Sequence, residues 1–327
     1  MITIQNDKLK SIYTFSYTEE ELELCKLEMR AFFGMDSISG TLESHIQVDP
    51  TRSPFMNERI DVLLESESIS EMAKKVKNLP KSEMTFKVVF VKNPSGEKLS
   101  FKERQAVEKE VGLQVRGDID LNRPEQLFGI MKVNGRWVFG HLHQSNSKWL
   151  EHQNKPHEYS TALSTKMART VVNIAVPKPE GVKAIDPCCG IGTVLIEACS
   201  MGVNIDGSDL NIRVVYGSRK NLAHFGYSAE VSLKDIREVT GDYDVAIIDM
   251  PYNLCSVISD EERYEMFKSA CSFANKVVIV TIDPVDEIVK NAGLTIIDRC
   301  KASKNKTFTR EVLVTSASHF PKNVEFD

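Results

Sequence analysis

The sequence predicts an α/β protein in which a doubly wound parallel sheet follows a first half of α+β type. From residue 181 onward, short apolar segments such as "VKAID", "YDVAIID" and "KVVIVTID" alternate with helical segments. This alternation is typical of a sheet with helices on both faces. Ligands bind such sheets outside the carboxyl ends of the strands, so we expect the functional residues in the loops that follow the strands.

The composition is that of a globular protein with two or three domains. The chain has 327 residues, of which 42% are hydrophobic and 27% are charged, and its net charge is −5. This charge does not by itself indicate a nucleic-acid-binding protein, although the residues between 81 and 160 are mildly basic. No apolar run has the length of a membrane-spanning helix and the start does not resemble a secretion signal, so we expect a cytoplasmic protein.

The cysteine and histidine spacings do not indicate a metal site. The seven cysteines are scattered without a CxxC pair, as expected for reduced thiols in a reducing compartment. His141 and His143 alternate on a predicted strand and share a sheet face, where a pair of histidines can bind a metal. Because no third ligand is nearby in the sequence, we favour a packing role and expect no metal.

Residues 186–193, "DPCCGIGT", place two adjacent cysteines beside two glycines, between a strand and the helix "TVLIEACSMG". Three interpretations of the cysteines are open. They form half of a metal site, they are reactive thiols, or they are side chains on a loop whose backbone contacts a ligand. The position favours the third alternative, because Gly190 and Gly192 permit a tight turn and a close approach of the ligand. A dinucleotide-binding loop has a third glycine where Leu195 stands, which disfavours a pyrophosphate cofactor.

Two further strand ends carry acidic residues. Asp209 ends the second strand of this half, at the position where an acid accepts hydrogen bonds from ribose hydroxyls, although it could also cap the next helix. The fourth strand ends in "IIDMPYN", where Asp249, Pro251 and Tyr252 combine an acceptor for an exocyclic amine with an aromatic face for a base. Taken alone, this second motif could be a strand-ending turn.

The first half predicts α+β units joined to the sheet by a helical linker. Capping boxes begin helices at Thr18 and Ser100, and Asn134-Gly135 predicts a hairpin turn. In the linker, Leu163, Met167, Val171 and Ile174 recur at helical spacing behind the predicted cap Ser164. Lys166 and Arg169 lie away from this apolar face, where they could contact phosphate or water.

The segments "DPCCGIGTVLIEA", "GSDLN" and "DMPYN" together resemble the S-adenosylmethionine-dependent amino-methyltransferases with a DPPY-type motif. With "KPHEYSTALSTKMARTVVNIA" and the first half, the chain resembles the THUMP-domain tRNA guanosine-N2-methyltransferases. This resemblance implies a ferredoxin-like unit over 1–65, a THUMP-like RNA-binding module over 66–150, a helical linker over 151–180 and a Rossmann-like methyltransferase domain over 181–327. It also implies S-adenosyl-L-methionine as cofactor and tRNA or another structured RNA as partner.

The resemblance assigns roles to individual residues of this sequence. Those implied to bind the cofactor are Asp186, Cys188, Gly190, Gly192, Thr193, Asp209, Leu210, Asp235 and Ile236. Those implied to act on the target amine are Asp249, Pro251 and Tyr252.

One departure concerns the DPPY-type motif, in which Met250 replaces the first proline. Because methionine lacks the fixed φ of proline, we expect a less rigid loop here. Two other functions stay open: a DNA adenine-N6 methyltransferase, which uses a similar motif, and a non-catalytic RNA-binding protein with a vestigial cofactor pocket.

Overall fold

A computed structural model of the chain describes residues 9–36, 39–251, 258–305 and 308–317. They divide into two compact units. The first comprises residues 9–16 and 39–146, and the second comprises residues 17–36 together with those from 147 onward. Within the described ranges, no helix is long and apolar enough to cross a membrane.

The regular elements alternate along most of the chain. The strands are β1 (Ser11–Phe15), β2 (Thr41–Ser44), β3 (Met56–Ser66), β4 (Phe86–Phe90), β5 (Gln126–Val133), β6 (Arg136–Gln144), β7 (Lys183–Asp186), β8 (Asn204–Asp209), β9 (Val231–Leu233), β10 (Tyr243–Asp249), β11 (Ala274–Thr281), β12 (Leu294–Asn305) and β13 (Phe308–Ala317). The α-helices are α1 (Leu22–Phe33), α2 (Ile69–Val76), α3 (Phe101–Gly112), α4 (Thr165–Ala175), α5 (Thr193–Ser200), α6 (Ile212–His224), α7 (Asp260–Phe273) and α8 (Asp286–Asn291). Short 3-10 helices lie at Glu19–Glu21, Pro50–Arg52, Lys148–Gln153 and Ile236–Glu238.

The first unit is built on a six-stranded sheet in the order β2-β1-β3-β6-β5-β4. Its pairs are antiparallel except for β4 and β5. The predicted capping box of α3 is present, with the Ser100 hydroxyl accepting from the Glu103 N–H. The hairpin between β5 and β6 turns at Asn134 and Gly135, both with positive φ, as the sequence predicts.

The predicted boundary at residue 65 falls inside this continuous sheet, because β3 pairs with β1 on one side and with β6 on the other. The helix α1, predicted to belong with β1, lies in the second unit. The names ferredoxin-like and THUMP-like therefore remain predictions for parts of one six-stranded unit. His141 lies beside Gln126 and His143 beside Asp61, so each histidine has a polar neighbour in this sheet.

The second unit contains a seven-stranded sheet in the order β12-β13-β11-β10-β7-β8-β9. Strands β7 to β11 run parallel to one another. Strand β13 lies between β11 and β12 and is antiparallel to both. The strand order reverses between β7 and β10, which creates a crevice at their carboxyl ends. The predicted doubly wound α/β sheet is confirmed.

The predicted linker helix α4 is part of the second unit. Its cap is Ser164, as predicted, and every residue from Met167 to Ala175 is buried. The expectation that Arg169 faces phosphate or water is wrong, because its guanidinium donates to Glu197 of α5 at 2.7 Å. Glu197 is fully buried and its other oxygen lies 2.7 Å from Nδ1 of His152. This buried network holds the segment before the sheet against α5.

Lys276 fixes the end of α4 to β11. Its Nζ donates to the carbonyl oxygens of Ile174 at 2.7 Å and Ala175 at 3.1 Å. Carbonyls at the end of a helix lack intrahelical donors, so this lysine satisfies two of them. Burial lowers the pKa of Lys276 from 10.5 to about 8.

We predict that Lys276→Met reduces the pH dependence of stability. Between pH 8 and 10.5 the unfolded chain retains the lysine proton that the folded chain has lost, so the free energy of unfolding rises with pH in this window. Between pH 8 and pH 10, the free energy of unfolding should rise by about 1–2 kcal/mol more in the unaltered protein than in Lys276→Met. Urea unfolding of both proteins at the two pH values measures it, and identical rises would contradict the assignment.

Candidate active site

A cavity of about 390 Å³ lies at the carboxyl ends of β7, β8 and β10. Its wall contains most of the residues that the sequence predicts: Asp186, Cys188, Gly190, Thr193, Asp209, Leu210, Asp235, Ile236, Asp249 and Pro251. Gly192 is not in the wall but begins α5 directly behind it. Tyr252 lies outside the described residues. The topology thus brings together side chains from four separate strand ends.

The loop after β7 turns on its two glycines. Gly190 and Gly192 have φ values of +52° and +82°, a backbone region that residues with a Cβ rarely adopt. A Cβ at 192 would lie 2.3 Å from Oγ of Ser218, whereas a Cβ at 190 would meet no atom within 4 Å. Both the backbone and the packing therefore favour glycine at 192, where a Cβ would displace the Ser218 side chain, while Gly190 leaves open space beside the backbone.

Contacts from β8 and α6 hold this loop. The Cys189 N–H donates to the Ser208 carbonyl oxygen at 2.9 Å. Asn221, fully buried, donates through Nδ2 to the carbonyl oxygens of Ile191 and His157, both at 2.9 Å. Its Oδ1 accepts the His157 N–H at 2.9 Å. Sequence reasoning missed Asn221, because nothing near it in the chain indicates that it bridges two distant loops.

Asp209 links the glycine loop to the start of α6. One carboxylate oxygen accepts the Gly190 N–H at 3.0 Å, and the other accepts the Asn211 N–H at 2.9 Å. Each carboxylate oxygen has a second lone pair, so Asp209 can also accept bonds from a ligand's hydroxyls. The helix cap itself is Asn211, whose side chain accepts the Arg213 N–H, so the alternative of Asp209 as cap is not needed.

The two adjacent cysteines are not activated thiols. Burial raises the pKa of Cys188 and of Cys189 well above the usual range, and the charge of Asp186 adds to the effect. Burial likewise raises the pKa of Asp186 well above its usual range. In the part of the chain that the structure describes, no group of three or more His, Cys, Asp or Glu residues can hold a metal ion.

Asp249, at the end of β10, lines the cavity and has a carboxylate oxygen without a partner among the described residues. Its Oδ1 is buried and has no hydrogen-bond partner among the described residues. Burial raises the pKa of Asp249 to about 7, and the positive charge of Arg310 opposes this rise. Asp249 pairs in register with Val280, and Val280 pairs with Val312, so Arg310 lies on the same sheet face two strands away. Arg310 is itself largely buried.

A hydrogen bond holds the backbone at Met250, where the DPPY-type motif has its first proline. Its N–H donates to the Val280 carbonyl oxygen at 2.9 Å and extends the pairing of β10 with β11. A proline has no N–H and cannot form this bond. The Met250 side chain is buried in a cluster that includes Phe267. The expectation of a less rigid backbone at 250 is therefore not supported.

Several charged residues in the wall were not predicted. Arg237 pairs with Asp235 at 2.5 Å and with Glu265 at 3.2 Å, and the bond from Arg237 lowers the pKa of Asp235. Glu262 lies in the first turn of α7 within the capping box of Ser259, a pattern visible in the sequence. Further unpredicted contributors come from the linker: Tyr159, Thr161, Ala162 and Leu163. The described wall thus carries five carboxyl groups and one guanidinium.

Comparison with known families identifies the part of the chain that forms this cavity. Residues 153–278 match the family described as "RMKL-like, methyltransferase domain". These residues are therefore similar to a methyltransferase domain. The match begins before β7, so the helix α4 is included, whereas the domain is predicted over 181–327.

Two relatives are similar to about half of the chain. The tRNA (guanine(10)-N2)-dimethyltransferase of Methanothermobacter thermautotrophicus is 31% identical over 175 residues, which are 50% of this chain and 52% of that protein. The protein of the same name from Methanocaldococcus jannaschii is 25% identical over 174 residues, which are 47% of this chain and 49% of that protein. The chain therefore spans about half the length of the curated relatives it matches.

Solved structures are more distantly similar. TrmN from Thermus thermophilus covers 94% of this chain and 99% of its own, with 16% identity and a TM-score of 0.47. The magnesium protoporphyrin IX methyltransferase ChlM from Synechocystis PCC 6803 covers 53% of this chain and 93% of its own, with 17% identity and a TM-score of 0.40. Similarities this low do not indicate the substrate of this chain.

We predict that alanine is tolerated differently at the two loop glycines of the methyltransferase domain. Gly190→Ala should lower the free energy of unfolding by about 1–2 kcal/mol, because only the left-handed backbone is strained. Gly192→Ala should lower it by about 2–4 kcal/mol, because the Cβ also overlaps Ser218. Gly226, which has φ +74° and open space but lies outside the cavity wall, is the matched control. Urea unfolding of the three variants measures these losses, and equal losses would rule out the overlap.

Proposed function

We propose that the chain is a cytoplasmic, S-adenosyl-L-methionine-dependent methyltransferase that methylates the N2 amine of a guanosine in tRNA. The observation that carries the proposal is that Asp249, which has a buried oxygen without a hydrogen-bond partner among the described residues, lines the same cavity as the glycine loop and Asp209. An exocyclic amine needs an acceptor at that position. The relatives named as tRNA guanine-N2 dimethyltransferases support this choice of amine and of RNA.

The cavity wall fits the proposed cofactor. Asp209 can accept the ribose hydroxyls, and Oγ1 of Thr193 is buried in the wall without a partner among the described residues. The excess of carboxyl groups favours a cationic ligand and disfavours a pyrophosphate. When bound, S-adenosyl-L-methionine supplies a methyl group on a positively charged sulfur that departs as a neutral thioether.

Asp249 has two tasks toward the target amine. The lone pair of a guanine amine is delocalised into the ring, so the amine is a weak nucleophile. An ionised Asp249 accepts one of its N–H groups, which favours a more tetrahedral nitrogen with its lone pair available for attack. Because the pKa of Asp249 is about 7, the same carboxylate can also take up the proton that the nitrogen loses once it is methylated.

The proposal also includes roles for Pro251, Tyr252, Asp235 and Ile236, and for the first unit. Pro251 lies in the cavity wall and fixes the backbone after Asp249, and Tyr252 supplies the aromatic face for the base. The six-stranded first unit is the part proposed to hold the RNA. Asp235 and Ile236 lie in the wall next to Leu210, where they would contact the adenine of the cofactor.

Methyl transfer to tRNA tests the proposal directly. The protein is incubated with labelled S-adenosyl-L-methionine and either undermethylated tRNA or duplex DNA, and the modified nucleoside is identified by mass spectrometry. We expect N2-methylguanosine or its dimethylated form. Asp249→Ala should abolish transfer while cofactor binding survives, and Asp209→Ala should weaken cofactor binding by about 1–3 kcal/mol in calorimetry. Asp242→Ala, at an exposed loop residue, is the control.

The outcomes separate the three functions that the sequence leaves open. N6-methyladenosine in DNA would replace the proposal with a DNA methyltransferase. Cofactor binding without transfer to either nucleic acid would indicate a non-catalytic RNA-binding protein. Failure to bind the cofactor would contradict the assignment of the cavity.

A pH profile tests the role of Asp249 more closely. The carboxylate is a stronger acceptor than the protonated acid and it alone can take up a proton, so the transfer rate should fall as the pH drops through the pKa of Asp249. Arg310→Gln removes the positive charge that lowers this pKa, so the fall should move to higher pH. Asp186 and Cys188 also lie beside Asp249, on the glycine loop, and burial raises the pKa of each of them well above its usual range.

The control for this profile is Arg310→Lys, which retains the charge and should leave the fall close to its original pH. Single-turnover rates between pH 5.5 and 9 at saturating cofactor provide the measurement. If the profile is the same in Arg310→Gln and in the unaltered protein, Arg310 does not act on Asp249.

A further inference from the structure

The outward face of α6 is basic although the chain is acidic. The helix sequence "IRVVYGSRKNLAH" contains three basic residues and no acidic one, in a chain of net charge −5. The buried side of the helix contains Val214, Val215, Gly217, Ser218, Asn221 and Leu222. The exposed side carries Arg213, Tyr216 and Lys220 at helical spacing. Arg219 is occupied, because it donates to the Val231 carbonyl oxygen.

Aromatic rings lie among these cations. Tyr216 is 56% exposed, and Nζ of Lys220 lies 5.4 Å from its ring centroid. The ring of His157 meets Tyr216 edge to face, with centroids 5.8 Å apart. Tyr159, 47% exposed, lies two residues after His157 and lines the cavity. We call His157, Tyr159, Arg213, Tyr216 and Lys220 the α6 surface.

The α6 surface is rigidly placed beside the cavity. The helix begins at Ile212, directly after the wall residues Leu210 and Asn211. Two hydrogen bonds of 2.9 Å between Asn221 and the backbone of His157 hold that segment against the helix, and a third joins Asn221 to the Ile191 carbonyl oxygen. A ligand that reaches from the cavity mouth along α6 thus meets side chains whose backbone is fixed in advance.

We propose that the α6 surface binds an unpaired stretch of RNA that adjoins the methylated nucleotide. The argument rests on the proposed function for the identity of the nucleic acid. Exposed aromatic rings stack on bases only where these are splayed out of a duplex, and nearby cations contact the phosphates. Arg213 and Lys220 supply the phosphate contacts, and Tyr216 with Tyr159 supplies the stacking faces. The charge is complementary to a polyanion.

The chain contains a matched control on α7. There Nζ of Lys268 lies 5.6 Å from the ring centroid of Tyr264, the same arrangement as Lys220 over Tyr216. The helix α7 carries four acidic residues, so it lacks the charge of the α6 surface. Lys220→Glu and Lys268→Glu therefore change the net charge equally and disrupt an equivalent cation–π pair.

Binding of the full-length protein to fluorescently labelled RNA tests the proposal without requiring methylation. The probes are a single-stranded RNA and its duplex, measured by anisotropy at several salt concentrations. Tyr216→Ala should weaken single-strand binding by about 5- to 100-fold, as expected for one lost stacking contact. Lys220→Glu should weaken it and reduce the salt slope by about one, while Lys268→Glu has little effect.

The outcomes distinguish this proposal from the proposed function. If these variants weaken single-strand binding with cofactor affinity unchanged, the α6 surface binds RNA even if no methyl transfer is found. If transfer to tRNA is found but KM and single-strand binding are insensitive to both α6 variants, the surface proposal is wrong and the function stands. Equal losses on the duplex, or preferential binding of an acidic peptide, would also overturn it.

Discussion

The tight turn between β7 and α5 is the constraint on which the cavity depends. Gly192 combines a left-handed backbone with a close approach to Ser218, whose side chain would have to move to admit a Cβ. This turn directs the Gly190 N–H toward Asp209 on the next strand, at 3.0 Å. The neighbouring cysteines line the cavity and are not activated thiols.

Burial then sets the chemistry of the acids around that turn. Asp186 and Asp249 both have raised pKa values because they are withdrawn from water, but only Asp249 has a cation that opposes the rise. Asp186 accepts the Cys188 N–H at 3.2 Å and acts as part of the loop. Asp249 keeps an oxygen without a partner among the described residues. Two chemically identical side chains at neighbouring strand ends thus have different roles.

The segment before β7 is as much a part of the site as the loops after the strands. The buried network of Arg169, Glu197 and His152 attaches it to α5, and Lys276 attaches the end of α4 to β11. Removing one member of such a network leaves a buried charge unpaired, which is costly, so the segment is held firmly. The residues just before α4, including Leu163, line the cavity.

The sequence by itself determined the local elements: the doubly wound sheet, the caps at Ser100 and Ser164, and the strand-end acids Asp209 and Asp249. These follow from periodicity and short-range hydrogen bonds, which depend on neighbours in the chain. The tertiary structure alone decided the burial of Arg169 against Glu197 and the placement of Arg310 near Asp249. Such pairs are distant in sequence and local propensity carries no information about them; the register of three strands and the packing of α4 bring them together.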